Sequence, residues 1–414
     1  MQPGPARRRN EARSEDLSLG RKHRPDYWLV ILSLILLSVG VIVVYAISPA
    51  LSAANHVGGN FYVSKQLIAI ALSIVAFFIT YNVPLVWWKR TYKPLLIVAA
   101  VATLLALIIP VNPAYPAHRW VRLGSFSFQS VELVKFAVMV WLAGFLASRM
   151  KQGSISDFNL TLKPILIALA VVGFFVAGVQ SDLGSTGVII AMMILMAYVA
   201  GLPLKRIFLF GGIILIGLIL AVSTIPYRRA RLVAFIHPGA NCQTSGYQAC
   251  QALIAVGSGG IVGLGLGSSV QAYGYLPEAA NDSIFAIYAE KFGFLGSALL
   301  LAVLMAFFAR LRYIAERTSD NFSRLIVIGV LAWLSVQAMI NIGAMIGLLP
   351  LKGITLPLIS YGGTSVVFVA AAIGLVFQIS QYTTYTPSRD SNNDARRETT
   401  GPVSRRQLRR STHT

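Results

Sequence analysis

The sequence is short of charge. Only 12% of its 414 residues are Asp, Glu, Lys or Arg, against about 25% in a soluble domain. Because 56% of the residues are hydrophobic, no soluble core could hide the apolar part, and a water-facing surface is excluded for most of the chain. Cysteine is nearly absent. Cys242 and Cys250 fall in one stretch, and a disulfide and two free thiols are both open, since spacing alone fixes no geometry. The five histidines (His23, His56, His118, His237 and His413) show no metal-ligand spacing. No serine–histidine–acid set is evident. Acids are scarce beside bases: 15 Asp and Glu against 35 Lys and Arg, a net charge of +20.

Long apolar runs are abundant. A membrane span needs about 20 mostly apolar residues. Ten runs meet this requirement, at roughly 27–47, 65–82, 94–110, 130–148, 164–179, 184–201, 206–224, 284–309, 324–348 and 359–381. The first is too long for the apolar core of a signal peptide and has no small-residue cleavage site, so it reads as a retained span. The expected fold is all-α: a polytopic membrane protein of about ten transmembrane helices, with a large external loop between spans seven and eight. Residues 1–26 form a polar cytoplasmic tail, 27–385 the membrane domain with the external loop at 225–283, and 386–414 a basic, disordered cytoplasmic tail.

The basic excess does not indicate nucleic acid, because it sits in the tails and in short loops between apolar runs. Lys89, Arg90, Lys93, Arg149, Lys151, Lys163, Lys205, Arg206, Arg310, Arg312, Arg317 and Arg324 occupy one set of loops, which is therefore cytoplasmic. With an even number of spans, both termini are cytoplasmic too. Within the external loop, Tyr247 to Val262 is apolar but too short and glycine-broken to span, and reads as a re-entrant or interfacial segment. The glycine runs at 257–260 and 263–267 superficially resemble nucleotide loops. They follow no soluble strand and face away from ATP, so a hinge with close backbone approach is the better reading.

Elimination locates the chemistry. Seven acids lie in the tails. Asp157, Glu316 and Asp320 lie in cytoplasmic loops beside basic residues and read as solvated charges. Glu132, Asp182, Glu278, Asp282 and Glu290 remain, all on the external side, where ionisable groups at membrane depth are costly and usually functional. Glu132 and Lys135 share a helix face at the outer end of span four, either as a structural ion pair or as an oriented cation site. Asp182 caps the helix after a tight turn or joins the site. Glu290 reads as an ion pair with Lys291. Asp282 is either the N-cap of span eight or a general base at the membrane surface. Arg119, Arg122, Arg228, Arg229, Arg231 and Lys352 add positive charge to the same face. They suit lipid headgroups or a polyanion such as a lipid pyrophosphate.

These stretches have a familiar order. His118-Arg119-Trp120-Val121-Arg122-Leu123-Gly124, Phe128 to Lys135 and Gln180-Ser181-Asp182-Leu183-Gly184 come first. Tyr247-Gln248, the Gly257–Gly267 run, Tyr275-Leu276-Pro277-Glu278 with Asp282, and Leu358-Ile359-Ser360-Tyr361-Gly362-Gly363 follow. Together they resemble the FtsW/RodA family of cell-shape and division proteins, the SEDS glycosyltransferases, over essentially all the spans. Ser-Val-Gln before Tyr275 looks more like the FtsW branch. The resemblance implies a peptidoglycan polymerase in the bacterial cytoplasmic membrane that uses lipid II and undecaprenyl-linked glycan. It implies Asp282 as the essential aspartate, with Glu132, Lys135, Arg119, Arg122, Asp182, Glu278, Lys352 and Ser360 in substrate or pyrophosphate binding. A cognate class B penicillin-binding protein, other divisome proteins and membrane lipids are the implied partners. Charge neutralisation of pyrophosphate would come from the basic residues or from a divalent cation, Mg or Mn. A lipid flippase and a non-catalytic scaffold for a transpeptidase are the alternative functions.

Overall fold

The computed structural model describes residues 22–108, 120–123, 126–203 and 246–383, with scattered positions between 205 and 244. Nine of the expected spans are helices within these limits. They are α1 (Tyr27–Ala54), α2 (Phe61–Asn82), α3 (Leu85–Ile108) and α4 (Ser130–Lys151), then a span over Phe158–Val179 whose centre is α5 (Lys163–Val172). After it come α6 (Leu183–Val199), α8 (Ile284–Arg317), α9 (Asn321–Met345) and α10 (Gly363–Ile379). The expected seventh span and most of the first part of the external loop lie outside the described residues, as do both tails beyond residues 22 and 383. Eight of the helical segments are long and apolar enough to cross a membrane, and the chain is a multi-pass membrane protein.

One element departs from the all-α expectation. β1 (Trp120–Leu123) and β2 (Phe126–Gln129) form an antiparallel hairpin, with Arg122 opposite Ser127. The hairpin runs directly into α4. In the external loop, the apolar segment does fold short of a span, as the 12-residue α7 (Tyr247–Ser258).

Helix burial separates an inner from an outer set. Of the most apolar stretch of each helix, 78% is buried in α4, 67% in α9 and 78% in α10, against 17% in α3 and 11% in 158–179. The outer helices therefore present apolar faces to lipid, and polar groups can be afforded only on the inner ones. Close approach of small residues holds the bundle, since lipid gives no hydrophobic drive between helices. A Cβ at Gly374 of α10 would lie 2.4 Å from the main-chain oxygen of Phe77 in α2.

The two ends of the bundle are tied differently. At one end the chain termini meet. The His23 amide donates to Gln381 O at 2.9 Å, the Asp26 amide donates to Ser380 Oγ at 2.9 Å, and Thr318 bridges to Thr383. Both ends of the described chain thus lie on one side. Asp320, expected as a solvated charge, and Asp26, expected in the polar tail, are instead half-buried ties. Asp26 takes Arg310 Nη2 at 2.6 Å and Nε at 2.8 Å. Asp320 takes Lys89 Nζ at 3.1 Å and caps α9 through Ser323. Asp157 caps its segment at the Leu160 amide, 2.8 Å away, and Glu316 pairs with Arg312 on the exposed surface.

Candidate functional site

The opposite end collects the residues that the sequence singles out. α4, α6, α8 and α10 all begin there, and their entry turns are laced together. Gln180 Nε2 donates to Ser130 Oγ at 2.9 Å. The Gln129 amide donates to Thr364 Oγ1 at 3.3 Å. The Tyr361 amide donates to Ala280 O at 2.8 Å. A Cβ at Gly184 would touch Ile354 and Lys352 side chains, at 2.6 and 3.1 Å. Four helix N-termini therefore converge, and each carries a partial positive charge that favours an anion.

Glu132 and Lys135, in the first turns of α4, form an ion pair of 2.8 Å with both side chains buried. Lys135 Nζ also donates to Gln337 Oε1 at 2.8 Å, and Trp333 Nε1 donates to the same oxygen at 2.8 Å. The Trp333 ring lies 5.2 Å from the ammonium. Gln337 Nε2 donates onward to Thr355 O at 2.9 Å. The lysine is thus held by a carboxylate, an amide and an indole face. Glu132 Oε2 is buried and has no hydrogen-bond partner.

Asp282 does not cap span eight. Ser283 occupies the cap position, with Ile284 as the first helical residue. The Ser283 hydroxyl donates to Pro277 O at 2.9 Å and accepts from Gln248 Nε2 of α7 at 3.1 Å. The Asp282 side chain is half-buried and is kept out of helix capping. Its carboxylate lies against the segment after α9, where a Cβ at Gly353 would be 3.5 Å from Oδ2. Its main-chain oxygen accepts from Asn341 Nδ2 at 2.7 Å.

The other predicted residues divide. Asp182 caps α6, taking the Ser185 amide at 3.0 Å and its hydroxyl at 2.9 Å. Glu278 is exposed and accepts from Asn281 Nδ2. Lys352 is half-buried beside the Asp182 turn. Ser360 is buried and its hydroxyl oxygen accepts from the Leu356 amide at 2.7 Å. Arg119 lies outside the described residues. Arg122 is placed in β1, and Arg228, Arg229 and Arg231 are not described. Among the described residues no group of three His, Cys, Asp or Glu gathers as a metal cluster.

Glu290 and Lys291 are not each other's ion pair. Neighbours in a helix point to different faces. Glu290 accepts from Ser269 Oγ at 2.5 Å and from the amides of Val270 and Gln271, whereas Lys291 donates to Leu266 O. The glycine run does make a close backbone approach. α8 breaks at Gly293, where φ is +65°, and Gly263, at φ +83°, packs into the break. The Leu264 and Gly265 amides donate to Glu290 O and Lys291 O, at 2.9 and 3.0 Å. The Phe294 and Leu295 amides donate to Gly260 O and Ile261 O in return, at 2.9 and 3.0 Å. Only glycine adopts these backbone angles without cost. The open question of the cysteines is settled by a Cys242–Cys250 disulfide at the head of α7.

Strain marks the same end. Among the described residues four non-glycine residues have positive φ, and three of them border the site: Ser181 at +53°, Glu278 at +52° and Leu358 at +65°. Such conformations persist where surrounding structure enforces them, and they cluster at functional sites. The phenol of Tyr361 is pushed up to about 12 by burial and by neighbouring Tyr62, so it stays neutral.

Sequence reasoning missed Gln337 and Asn341. Their signal was available: two amides four apart in an apolar span share one helix face.

Comparison with known proteins agrees with this geometry. Residues 27–385 match the FtsW/RodA/SpoVE family of cell cycle proteins. Stage V sporulation protein E of Bacillus subtilis is 36% identical over 88% of this chain and 99% of its own length. A probable peptidoglycan glycosyltransferase FtsW of Saccharophagus degradans is 39% identical over 86% of this chain and 92% of its own. Among solved structures, a chain of a peptidoglycan synthase complex that coordinates polymerization and crosslinking superposes with a TM-score of 0.69. It is 24% identical, with 86% of this chain and 97% of that one covered. Thermus thermophilus RodA gives 0.60 at 23% identity, covering 87% and 98%.

Proposed function

From the premise that the chain belongs to the FtsW/RodA/SpoVE family, we propose that it is a peptidoglycan glycosyltransferase that polymerises lipid II into glycan strands for septal synthesis in cell division. The site end faces outward, the termini are cytoplasmic, and the membrane is the bacterial cytoplasmic membrane. The observation that carries the catalytic assignment is the half-buried Asp282 carboxylate at the entry to α8, one residue before the cap position and against the segment that carries Lys352.

A sugar hydroxyl is a poor nucleophile until its proton has a destination. In the reaction, the 4-hydroxyl oxygen of the acceptor sugar bonds to the anomeric carbon of the lipid-linked donor. The carbon–oxygen bond to pyrophosphate breaks, with its electron pair leaving on undecaprenyl pyrophosphate, and the configuration inverts. Asp282 takes the hydroxyl proton. Pyrophosphate needs charge neutralisation rather than a strong acid, and Lys135, Arg119, Arg122 and Lys352 supply it together with the converging helix N-termini. A single carboxylate base suits this chemistry, whereas glycoside hydrolysis wants a pair. If Mg or Mn accompanies the pyrophosphate, phosphate oxygens would supply most of its ligands, as is usual for Mg, with one carboxylate such as Asp282. Glu132 holds Lys135 in place. Glu278, Asp182 and Ser360 shape the loops around the substrate.

A structural relative acts in a complex that couples polymerization to crosslinking. A class B penicillin-binding protein is the corresponding partner for this chain, among other divisome proteins. A flippase would line the bundle with polar groups at mid-membrane depth, but the ion pairs described here gather toward the two ends of the bundle. Purified protein given labelled lipid II tests the proposal. Wild type should make glycan strands and Asp282→Ala should make none. A scaffold would be indifferent to Asp282→Ala, and strands made by that variant would remove Asp282 as the base.

A further inference from the structure

We infer that Asn341 and Gln337 are positioning residues for glycosyl transfer, Asn341 acting through the Asp282 backbone and Gln337 through Lys135. The inference rests on the reading of Asp282 as the base.

The two amides are four residues apart on α9, so they share one face. Both are fully buried, at 1% and 0% exposure. Asn341 spends both protons of one nitrogen on two carbonyls from different loops: Asp282 O and Ile354 O, each at 2.7 Å. It thereby fixes the entry to α8 against the segment that carries Lys352. Gln337 fixes the next residue of that segment, donating to Thr355 O, while accepting from Lys135. One rigid inner helix therefore sets where the base and the buried lysine sit relative to each other. Neither amide lies in the part of the chain that reacts, and neither was marked by motif.

The arrangement is not what stability alone would select. Asn341 Oδ1 is buried with no hydrogen-bond partner. Burying an unsatisfied acceptor is unfavourable, and an apolar side chain at a helix contact would avoid it. The amide is retained for its two donors, and both hold site loops. Catalytic groups must be held to within about 0.5 Å, and a misplacement of about 1 Å can cost a hundredfold in rate.

The test uses full-length protein in proteoliposomes, with labelled lipid II and kcat and KM measured separately. Asn341→Asp keeps the shape but, when ionised, donates to neither carbonyl. It should lose roughly a hundredfold in kcat with KM nearly unchanged. Its kcat relative to wild type should rise as pH falls and the introduced carboxyl regains a proton to donate. Gln337→Met keeps the length but removes both the acceptor for Lys135 and the donation to Thr355, and should show the same kcat-only loss. Met339→Ala, on the exposed face of the same helix, should match wild type.

Wild-type kcat in Asn341→Asp, or a loss confined to KM, overturns the inference. So does failure of both amide variants to give monodisperse protein, which would assign the amides to folding alone. If wild type makes no strands, or Asp282→Ala still makes them, the reading of the site falls first and takes the inference with it.

Discussion

The two ends of this bundle use the same residue types to opposite purposes. At the terminal end, the half-buried carboxylates of Asp26 and Asp320 are closed off. Asp26 is matched by two nitrogens of Arg310, and Asp320 by Lys89 and by both donors of Ser323. At the other end, polar groups are buried yet left with capacity: Glu132 Oε2 and Asn341 Oδ1 have no hydrogen-bond partner, and three residues hold left-handed backbones. The first pattern fastens helices. The second holds groups ready for something that arrives from outside the chain. A buried ion pair alone does not distinguish them, because its net contribution to stability is often small. What distinguishes them is the unused valence around it.

The ion pairs offer the sharpest way to break the contrast. Lys135→Met leaves Glu132 uncompensated in the core, and unfolding measurements should show a loss of about 3–5 kcal/mol together with loss of polymerisation. Adding Glu132→Gln should restore much of the stability and none of the activity. If activity returns with stability, the pair is a fastener like those at the other end.

The disulfide comes next in size. Cys242 and Cys250 are separated by 8 residues, and closing a loop of that length is worth roughly 2.5 kcal/mol in the chain-entropy picture. Reduction, or Cys242→Ser with Cys250→Ser, should lower the thermal midpoint of the protein. The effect should centre on the loop holding α7, read as faster hydrogen exchange there, and leave the terminal end unchanged.

The smallest effect belongs to the terminal end. Burial raises the Asp320 pKa, but Lys89 and the Ser323 donors outweigh it, so the folded value lies below the ordinary 3.8. Stability from this group is therefore present above pH of about 4 and is lost as pH falls through the depressed value. Asp320→Asn keeps a good helix cap, and should flatten that acid limb and cost about 0.5–1 kcal/mol near neutrality. Polymerase activity per folded molecule should not change. A large fall in kcat would mean the two ends are coupled.

Much of this was legible from residues alone. Composition and run length gave nine described spans, five with both ends within four residues and four short of the helix by six to nine residues at one end, because a bilayer imposes its thickness on any helix that crosses it. The Glu132–Lys135 pair followed from i, i+3 spacing, and the Asp182 cap from turn chemistry. Glu290 and Lys291 misled, because adjacency in sequence is not adjacency on a helix. The Arg310–Asp26 tie spans 284 positions, and no local pattern announces such a contact. The hairpin before α4 is short and lies in a segment whose composition reads as loop.

The sequence by itself determined that the chain lives in a membrane, and at which end Glu132, Asp182, Glu278, Asp282 and Glu290 gather. Local chemistry decides both: apolar length partitions a segment into lipid, and loop charge sets its direction. Tertiary structure alone decided which acids are used up. Whether a carboxylate caps a helix or closes an ion pair depends on donors brought to it from distant segments, as Lys89 is brought to Asp320 across 231 positions.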